Sequence, residues 1–371
     1  MANIFTYLKK YGHLSFEELE FNEIDNLIFS QLVYINFTNV IPNKISKNDF
    51  ILLKDASKKY FDIHNNDDSP IGLLVPDEIL PMLKILPSYR RFSDLKLYGF
   101  IHDVNSVETK QFSSLAINIK EKLYYIAFSG TDDTLTGWRE DFNMGFMSFI
   151  PSQREALKYL NKYLNRLDGN FILGGHSKGG NLAIYSASKC ISYKKKRIIT
   201  IYNNDGPGLH KKMINSLGYK KIEDKIIRFV PESSIVGLLF NHTGSLNIIK
   251  STQVGLYQHD AFSWEIENTK FVTTKKISNE NSLIIESLKS WFSKTTLEER
   301  KEFINSLFDI LESTDASTLT DLALEKTNIF KIFTNANKDD LTTVLKALSS
   351  LINESRKIIL KNISKTIKKV D

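Results

Sequence analysis

Residues 171–183 read FILGGHSKGGNLA. An apolar run leads into Gly175-His176-Ser177-Lys178-Gly179, and a helix-like run leads out. That order is what a nucleophile elbow requires: a strand, a sharp strained turn with the serine at its tip, then a helix. Side chains at the flanking positions would clash with the strand and the helix, so Gly175, Gly179 and Gly180 have a steric job. The alternative is a serine in an ordinary glycine-rich turn, and the pattern alone does not separate the two. The surrounding chain has to supply the context.

Strand and helix patterns alternate around this stretch. LAINIK and LYYIAFSG read as a strand pair turning near Lys120–Lys122. SQREALKYLNKYLNRL is a helix with a Ser152/Glu155 capping box and Leu157, Leu160, Leu164 and Leu167 on one face. RIITIYNN, KIIRFVP and LNIIKS read as strands, and NLAIYSASKC and LHKKMINSLGY as helices. Such alternation predicts an α/β fold, a mostly parallel sheet flanked by helices. Three zones follow. Residues 1–94 form a helical N-terminal segment and a proline-rich cover that belong to the same domain. Residues 95–292 form the α/β core. Residues 293–371 carry no strand signal and read as a helical extension.

The chain has 371 residues with 42% apolar side chains, enough for a sizeable core. Its single cysteine, Cys190, excludes an intramolecular disulfide and suits a reducing compartment. No stretch approaches 18 uncharged apolar residues, the length of a membrane span. The net charge is +6, but the lysines are scattered among acids, which argues for compositional bias rather than nucleic-acid binding. The exception is residues 355–370, with Arg356, Lys357, Lys361, Lys365, Lys368 and Lys369, no acid, and Ile359, Ile363, Ile367 and Val370 on one helical face. A basic amphipathic helix of this kind can lie on an anionic membrane or dock on its own domain. The expectation is a cytoplasmic protein, with peripheral membrane contact through that helix. No HExxH, paired-cysteine, calcium-loop, phosphate-loop or dinucleotide pattern appears, so neither a metal nor a cofactor is expected.

A serine nucleophile needs a histidine base, a carboxylate to orient it, and donors for the oxyanion. In the α/β-hydrolase order the acid and then the histidine follow the serine. Three histidines lie after Ser177: His210, His242 and His259. His259, in GLYQHDAFSW after the last strand, stands where the base is expected. Two carboxylates follow strands: Asp205 in NNDGPG and Glu232 in VPESS. Asp205 is the first choice and Glu232 the alternative, although Asp-Gly-Pro-Gly is also plain turn chemistry. The oxyanion donors expected are the Lys178 N–H and the Thr131 N–H, the latter in SGTDDTLTGW directly after an apolar strand. The Thr131 hydroxyl is expected to add a further bond.

At this point the chain resembles known families. SGTDDTLTGWREDF is similar to the oxyanion segment of the class 3, fungal-type lipases, in which Trp-x-x-Asp follows, and GGHSKGGNLA is similar to their elbow. YLKKYGHLSFEELEFNEIDNLIFSQLVY, YNNDGPG and QHDAFSW resemble more closely a bacterial family of lipase-like α/β-hydrolases of unknown function, the Mbeg-like proteins. The resemblance spans about residues 4–265 and implies an α/β-hydrolase fold, Ser177 as nucleophile, Thr131 and Lys178 as oxyanion donors, and His259 as base. Two departures stand out. Ser129 replaces the usual arginine, and Ser234 stands near where the class 3 lipases carry their acid.

The apolar loop ESSIVGLLF beside the expected histidine favours an apolar acyl group over a sugar or a charged metabolite. The reading is a serine hydrolase of lipase, phospholipase or carboxylesterase type that cleaves an acyl-ester or lipid substrate. The alternatives are a non-catalytic partner-binding protein on the same scaffold, or an acyltransferase using the same serine.

Overall fold

The computed structural model describes residues 2–44, 49–275, 277, 279–314, 316–324 and 336–367, with the side chains of 279–282 and 361–367 left out of the description. Its centre is one sheet of eight strands that run in chain order: β1 (Ile51–Leu52), β2 (Lys96–Asn105), β3 (Lys110–Lys120), β4 (Leu123–Phe128), β5 (Asn170–His176), β6 (Ile198–Asn204), β7 (Ile226–Pro231) and β8 (Ser245–Ile249). The pairings from β1 to β4 are antiparallel, and those from β4 to β8 are parallel. The fold is α/β-hydrolase-like. Lys122, at φ 56°, closes the β3–β4 hairpin where the sequence placed it. A two-stranded ribbon, β9 (Ile266–Glu267) with β10 (Lys270–Phe271), follows the sheet.

Sequential parallel strands have a consequence. Right-handed crossovers between them put every connecting helix on one face of the sheet. Here α7 (Pro151–Arg166) and α8 (Lys178–Lys189) occupy that face, packing Leu160, Tyr163, Leu182 and Ala183 on Ile126, Phe128, Phe171 and Leu173. The opposite face, which carries Tyr125, Ala127, Ile172 and Tyr202, needs another cover. The N-terminal segment supplies it, through α1 (Ile4–Tyr11), α2 (Glu23–Leu32), α3 (Leu53–Ile63), α4 (Ile79–Ile85) and α5 (Arg90–Ser93). Strand side chains alternate between these two cores, as a sheet covered on both faces demands, except where register shifts in β2 and at the start of β6 interrupt the pairing.

Polar contacts tie that cover down. Arg91 and Asp25, both fully buried, form a two-bond pair at 2.8 and 2.5 Å, and Arg91 also donates to the Leu19 and Glu20 carbonyls. On α2, the Asn26 amide donates to Asn204 Oδ1 at 2.9 Å, and Asn204 donates to Ser30 at 2.9 Å, directly beneath the β6 end.

Local details differ from expectation. The α7 N-cap is Ile150, whose N–H donates to Gln153 Oε1 at 3.1 Å. Ser152 lies inside the helix, and its hydroxyl serves Glu140 and the Gln111 carbonyl, so the Ser152/Glu155 box does not form. Pro151 sets the start instead, since proline fits the first helical turn. LHKKMINSLGY breaks into α9 (Lys211–Ile214) and α10 (Leu217–Lys220), because Ser216 caps a new turn on the Tyr219 N–H.

The C-terminal region is helical where described: α11 (Asn279–Lys294), α12 (Leu297–Glu312), α13 (Leu319–Leu324) and α14 (Lys338–Ile367). The 292/293 boundary expected from sequence falls within α11. No helix among the described residues is long and apolar enough to cross a membrane. Of the basic face expected at 355–370, residues 368–370 and the side chains from 361 onward lie outside the described residues, while Ile359 is exposed.

Candidate active site

The turn after β5 forces Ser177 to φ 54° and ψ −131°, a backbone region that residues with a side chain rarely occupy. Three contacts hold it. Ser177 N–H donates to the Asn204 carbonyl at 3.0 Å, Gly180 N–H donates back to the Ser177 carbonyl at 3.0 Å, and Gly175 and Gly179 touch. A Cβ on Gly179 would lie 2.0 Å from the Phe128 carbonyl oxygen, and one on Gly175 would lie 2.4 Å from it. Backbone cannot give way there, so only glycine serves.

One residue beyond β6, Asp205 also has a positive φ, 53°, and its N–H donates to Phe229 O of β7 at 2.8 Å. Its carboxylate is fully buried and accepts two side-chain bonds: His259 Nδ1 at 2.6 Å on Oδ2, and the Ser234 hydroxyl at 2.5 Å on Oδ1. Ser234 in turn accepts the Gly237 N–H at 3.1 Å. Burial raises the Asp205 carboxyl above the ordinary range, and the bonds from His259 and Ser234 oppose that rise. With Nδ1 donating to Asp205, the Nε2 of a neutral His259 is left as the basic nitrogen.

His259 is held from behind by His176. The fully buried His176 ring lies 4.5 Å from the His259 ring, centroid to centroid. Burial pushes its pKa well below the usual value, and the neighbouring His259 adds to that, so His176 is neutral. Its Nε2 faces the His259 carbonyl at 2.8 Å and must therefore donate, which leaves Nδ1 to accept from the Tyr34 hydroxyl at 2.9 Å. Tyr34 belongs to the N-terminal cover and sits against Gly130, where a Cβ would come within 1.9 Å of the phenol oxygen.

Lys178 is the first residue of α8, so its N–H has no intrahelical acceptor. Among the described residues, the Thr131 N–H also has no hydrogen-bond acceptor. The Thr131 hydroxyl differs from expectation: it donates to Asp141 Oδ2 in α6 (Leu135–Asn143) and is committed there. The Lys178 side chain is buried and runs back to Gln111 O at 3.0 Å, Glu140 Oε2 at 3.2 Å and Asp141 Oδ1 at 3.7 Å. Burial pushes the Asp141 carboxyl up to about 6, against the pull of Lys178. Glu140 completes the cluster by accepting the Ser152 and Gln111 N–H groups.

Ser177, Lys178 and His259 open on a cavity of about 550 Å³. Val236, Leu239 and Phe240 of the expected apolar loop line one side. The rest of the wall was not foreseen: Leu288, Trp291 and Phe292 of α11, Phe303, Ile304 and Leu307 of α12, and Val344, Ala347, Leu348 and Leu351 of α14. Arg300 anchors this layer. Its guanidinium stacks on Phe292 and donates to Gly145 O, Thr295 O and Phe292 O.

Among curated proteins no relative matches this sequence. The family profile of the Mbeg1-like proteins matches residues 86–309, more than half of the chain. The chain belongs to the Mbeg1-like family. Among solved structures it is similar to the crystal structure of M37 lipase, at 18% identity over 60% of this chain and 71% of that one, with a TM-score of 0.38. It is also similar to a fungal lipase in complex with an inhibitor, at 15% identity over 60% of this chain and 80% of that one, with a TM-score of 0.35.

In this Mbeg1-like chain the structure brings Ser177, Lys178 and His259 to one cavity and joins Asp205 to His259. The alternative acid, Glu232, stands after β7 with its N–H on Ile249 O, and its carboxylate makes no bond to His259. His242 turns to the Leu239 carbonyl at 2.9 Å, and burial lowers its pKa to about 3. His210 meets the Met147 carbonyl at 2.7 Å. Sequence reasoning passed over three residues. Ser234, noted only as a departure, is the brace of Asp205. Glu140 sits inside the Trp-x-x-Asp segment, where an acid next to Asp141 hinted at a buried cation. Tyr34 carried no local signal.

Proposed function

We propose that this Mbeg1-like protein is a serine hydrolase that cleaves acyl esters of lipase or esterase type. Ser177 Oγ attacks the ester carbonyl carbon while His259 Nε2 takes its proton, and Asp205 holds the imidazole in the required tautomer and steadies its positive form. The oxyanion is met by the N–H groups of Lys178 and Thr131. His259 returns the proton to the departing alcohol, and an acyl-Ser177 ester remains. Water, deprotonated by His259, then attacks that ester, releases the carboxylic acid and restores Ser177. The side chains of Asp141 and Lys178 act at one remove, since Asp141 holds the Thr131 side chain and the Lys178 ammonium lies against Asp141.

The observation that carries the reading is the 2.6 Å bond from His259 Nδ1 to the buried Asp205, with His259 and the strained Ser177 on one cavity. The apolar lining supports an acyl group as the bound moiety, since apolar walls with few polar groups fit apolar ligands. The test is labelling with an alkyl fluorophosphonate, read by intact mass. Wild type should take up one adduct and Ser177→Ala none. A folded wild type that takes up no adduct would remove the hydrolase reading and leave a binding scaffold.

A further inference from the structure

Two parts of the catalytic machinery meet at one phenol oxygen. Tyr34, two residues past the end of α2, donates to His176 Nδ1 at 2.9 Å, and His176 Nε2 donates to the His259 carbonyl at 2.8 Å. The same oxygen lies against the backbone of Gly130, the residue before the proposed oxyanion donor Thr131. Gly130 is not among the glycines with positive φ, so backbone strain does not demand a glycine there. The demand is steric. A Cβ would meet the phenol oxygen at 1.9 Å and the His176 carbonyl oxygen at 2.9 Å. The oxyanion loop gives up a side chain to admit the phenol.

Each branch fixes one group. The peptide unit between Gly130 and Thr131 is planar, with its C=O and N–H pointing opposite ways. The Gly130 carbonyl accepts the Ser129 hydroxyl at 3.0 Å and the Gln111 amide at 3.5 Å, which turns the Thr131 N–H the other way. The phenol against Gly130 limits how far that unit can shift. On the other branch, a neutral His176 holds the His259 carbonyl only as the Nε2–H tautomer. That tautomer leaves Nδ1 as a buried acceptor, and the phenol satisfies it. Burial and the Asp141 and Asp132 carboxylates push the phenol above its ordinary range, so it keeps the proton it donates. Neither Tyr34 nor His176 is among the residues that line the cavity.

We propose that Tyr34 is a positioning residue for ester hydrolysis: its hydroxyl fixes the His176 tautomer that holds His259 and, from the same point, steadies the Gly130–Thr131 turn. This rests on the serine hydrolase reading for which groups do the chemistry. The N-terminal cover is then part of the active site as well as the cover of a sheet face. Loss of the hydroxyl leaves substrate binding alone and slows the chemical steps, because a small misplacement of reacting groups is costly in rate. A loss of that kind appears in kcat rather than in KM.

The test is Tyr34→Phe in the full chain, which keeps the ring and removes the oxygen. With an octanoate ester, kcat should fall roughly 30-fold while KM stays within about twofold. An alkyl trifluoromethyl ketone, which forms a tetrahedral adduct on the serine, should lose affinity by about the same factor as kcat/KM. The second readout needs no turnover and follows ¹⁵N-labelled histidines at neutral pH. In wild type His176 should show the neutral Nε2–H tautomer, and the His259 Nδ1 proton, bonded to Asp205, should lie far downfield. Tyr34→Phe should mix the His176 tautomers and move the His259 proton. Histidine signals unchanged in the variant overturn the proposal whatever the rates do. So does an active variant with kcat within about twofold of wild type, or a loss carried by KM. If Tyr34→Phe does not fold, the pair at 176 decides. His176→Gln keeps a donor for the His259 carbonyl and an acceptor for Tyr34, so it should retain roughly tenfold more turnover than His176→Leu, and equal turnover overturns the proposal. Both histidine changes in a protein that takes up no fluorophosphonate would sink the hydrolase and keep Tyr34 as the brace of His259. Labelling with unchanged histidine signals would do the reverse.

Discussion

The two walls of the cavity are built on different physics. On the elbow side, positions are set by backbone against backbone. Gly175 and Gly179 touch Phe128 O, Ser177 hangs on Asn204 O, and Asp205 hangs on Phe229 O. Every residue of α8 from Lys178 to Ser188 is buried. On the helical side, contacts run through side chains. Among the described residues of α14, Glu354 alone is buried, and it is a carboxylate held by Ser290, Lys294 and Lys357. An element with little buried apolar surface sits at the low-stability end of a fold. Ser177 and Asp205, proposed to do chemistry, therefore rest on tightly packed backbone, while α14, which lines the opposite wall, is held with little buried apolar surface.

That contrast can be broken from the rigid side first. Asp205→Asn should lower ester turnover by about ten-thousandfold, since the histidine would lose its tautomer and its orientation. Glu232→Gln should stay within about threefold, and equal losses in steady-state kinetics would remove Asp205 as the acid. Lys178→Met leaves Glu140 buried without its cation, and urea unfolding should show a loss of about 3–5 kcal/mol. Gly179→Ala drives a Cβ into the Phe128 carbonyl, so the same measurement should show a loss of about 1–3 kcal/mol.

On the helical side the expected effects are smaller and of another kind. Ala347→Trp fills the cavity from α14 and should shift the preferred acyl chain to shorter esters. An octanoate-to-butyrate kcat/KM ratio falling about tenfold, with little change in melting temperature, would fit a wall; an unchanged ratio would not. Glu354→Gln should speed amide exchange in α14 at neutral pH while β5 and α8 keep their protection. The Glu354 carboxyl is held down to about 2, first by Lys294 and then by Lys357, from an ordinary value of 4.5. A depressed carboxyl stabilises the fold above its unfolded value and loses that contribution on protonation. In wild type the α14 clasp should thus weaken as pH falls from 4.5 toward 2, read as α14 exchange relative to β5.

What the sequence determined by itself was local. Gly-x-Ser-x-Gly between an apolar run and a helix announces the elbow because the steric demand is met within five residues. Strand and helix periods announce the α/β order, and the late position of His259 follows from that order. Capping details failed where a competing partner intervened, as when Glu140 drew Ser152 into its cluster. The tertiary structure alone decided which of two strand-end carboxylates reaches His259. Asp205 and Glu232 both follow strands, and although the sequence makes Asp205 the first choice, it is the turn geometry after β6, with φ 53° at Asp205 and Ser234 folded onto it, that sends Asp205 to the histidine. It also decided that the first 94 residues must cover a sheet face. A sheet in chain order spends all its crossover helices on the other side, and no pattern in the covering segment states that need. Last, it joined α11, α12 and α14 to Ser177 across more than a hundred residues of chain. Periodicity reports that a helix has an apolar face, but what that face meets is set by long-range packing.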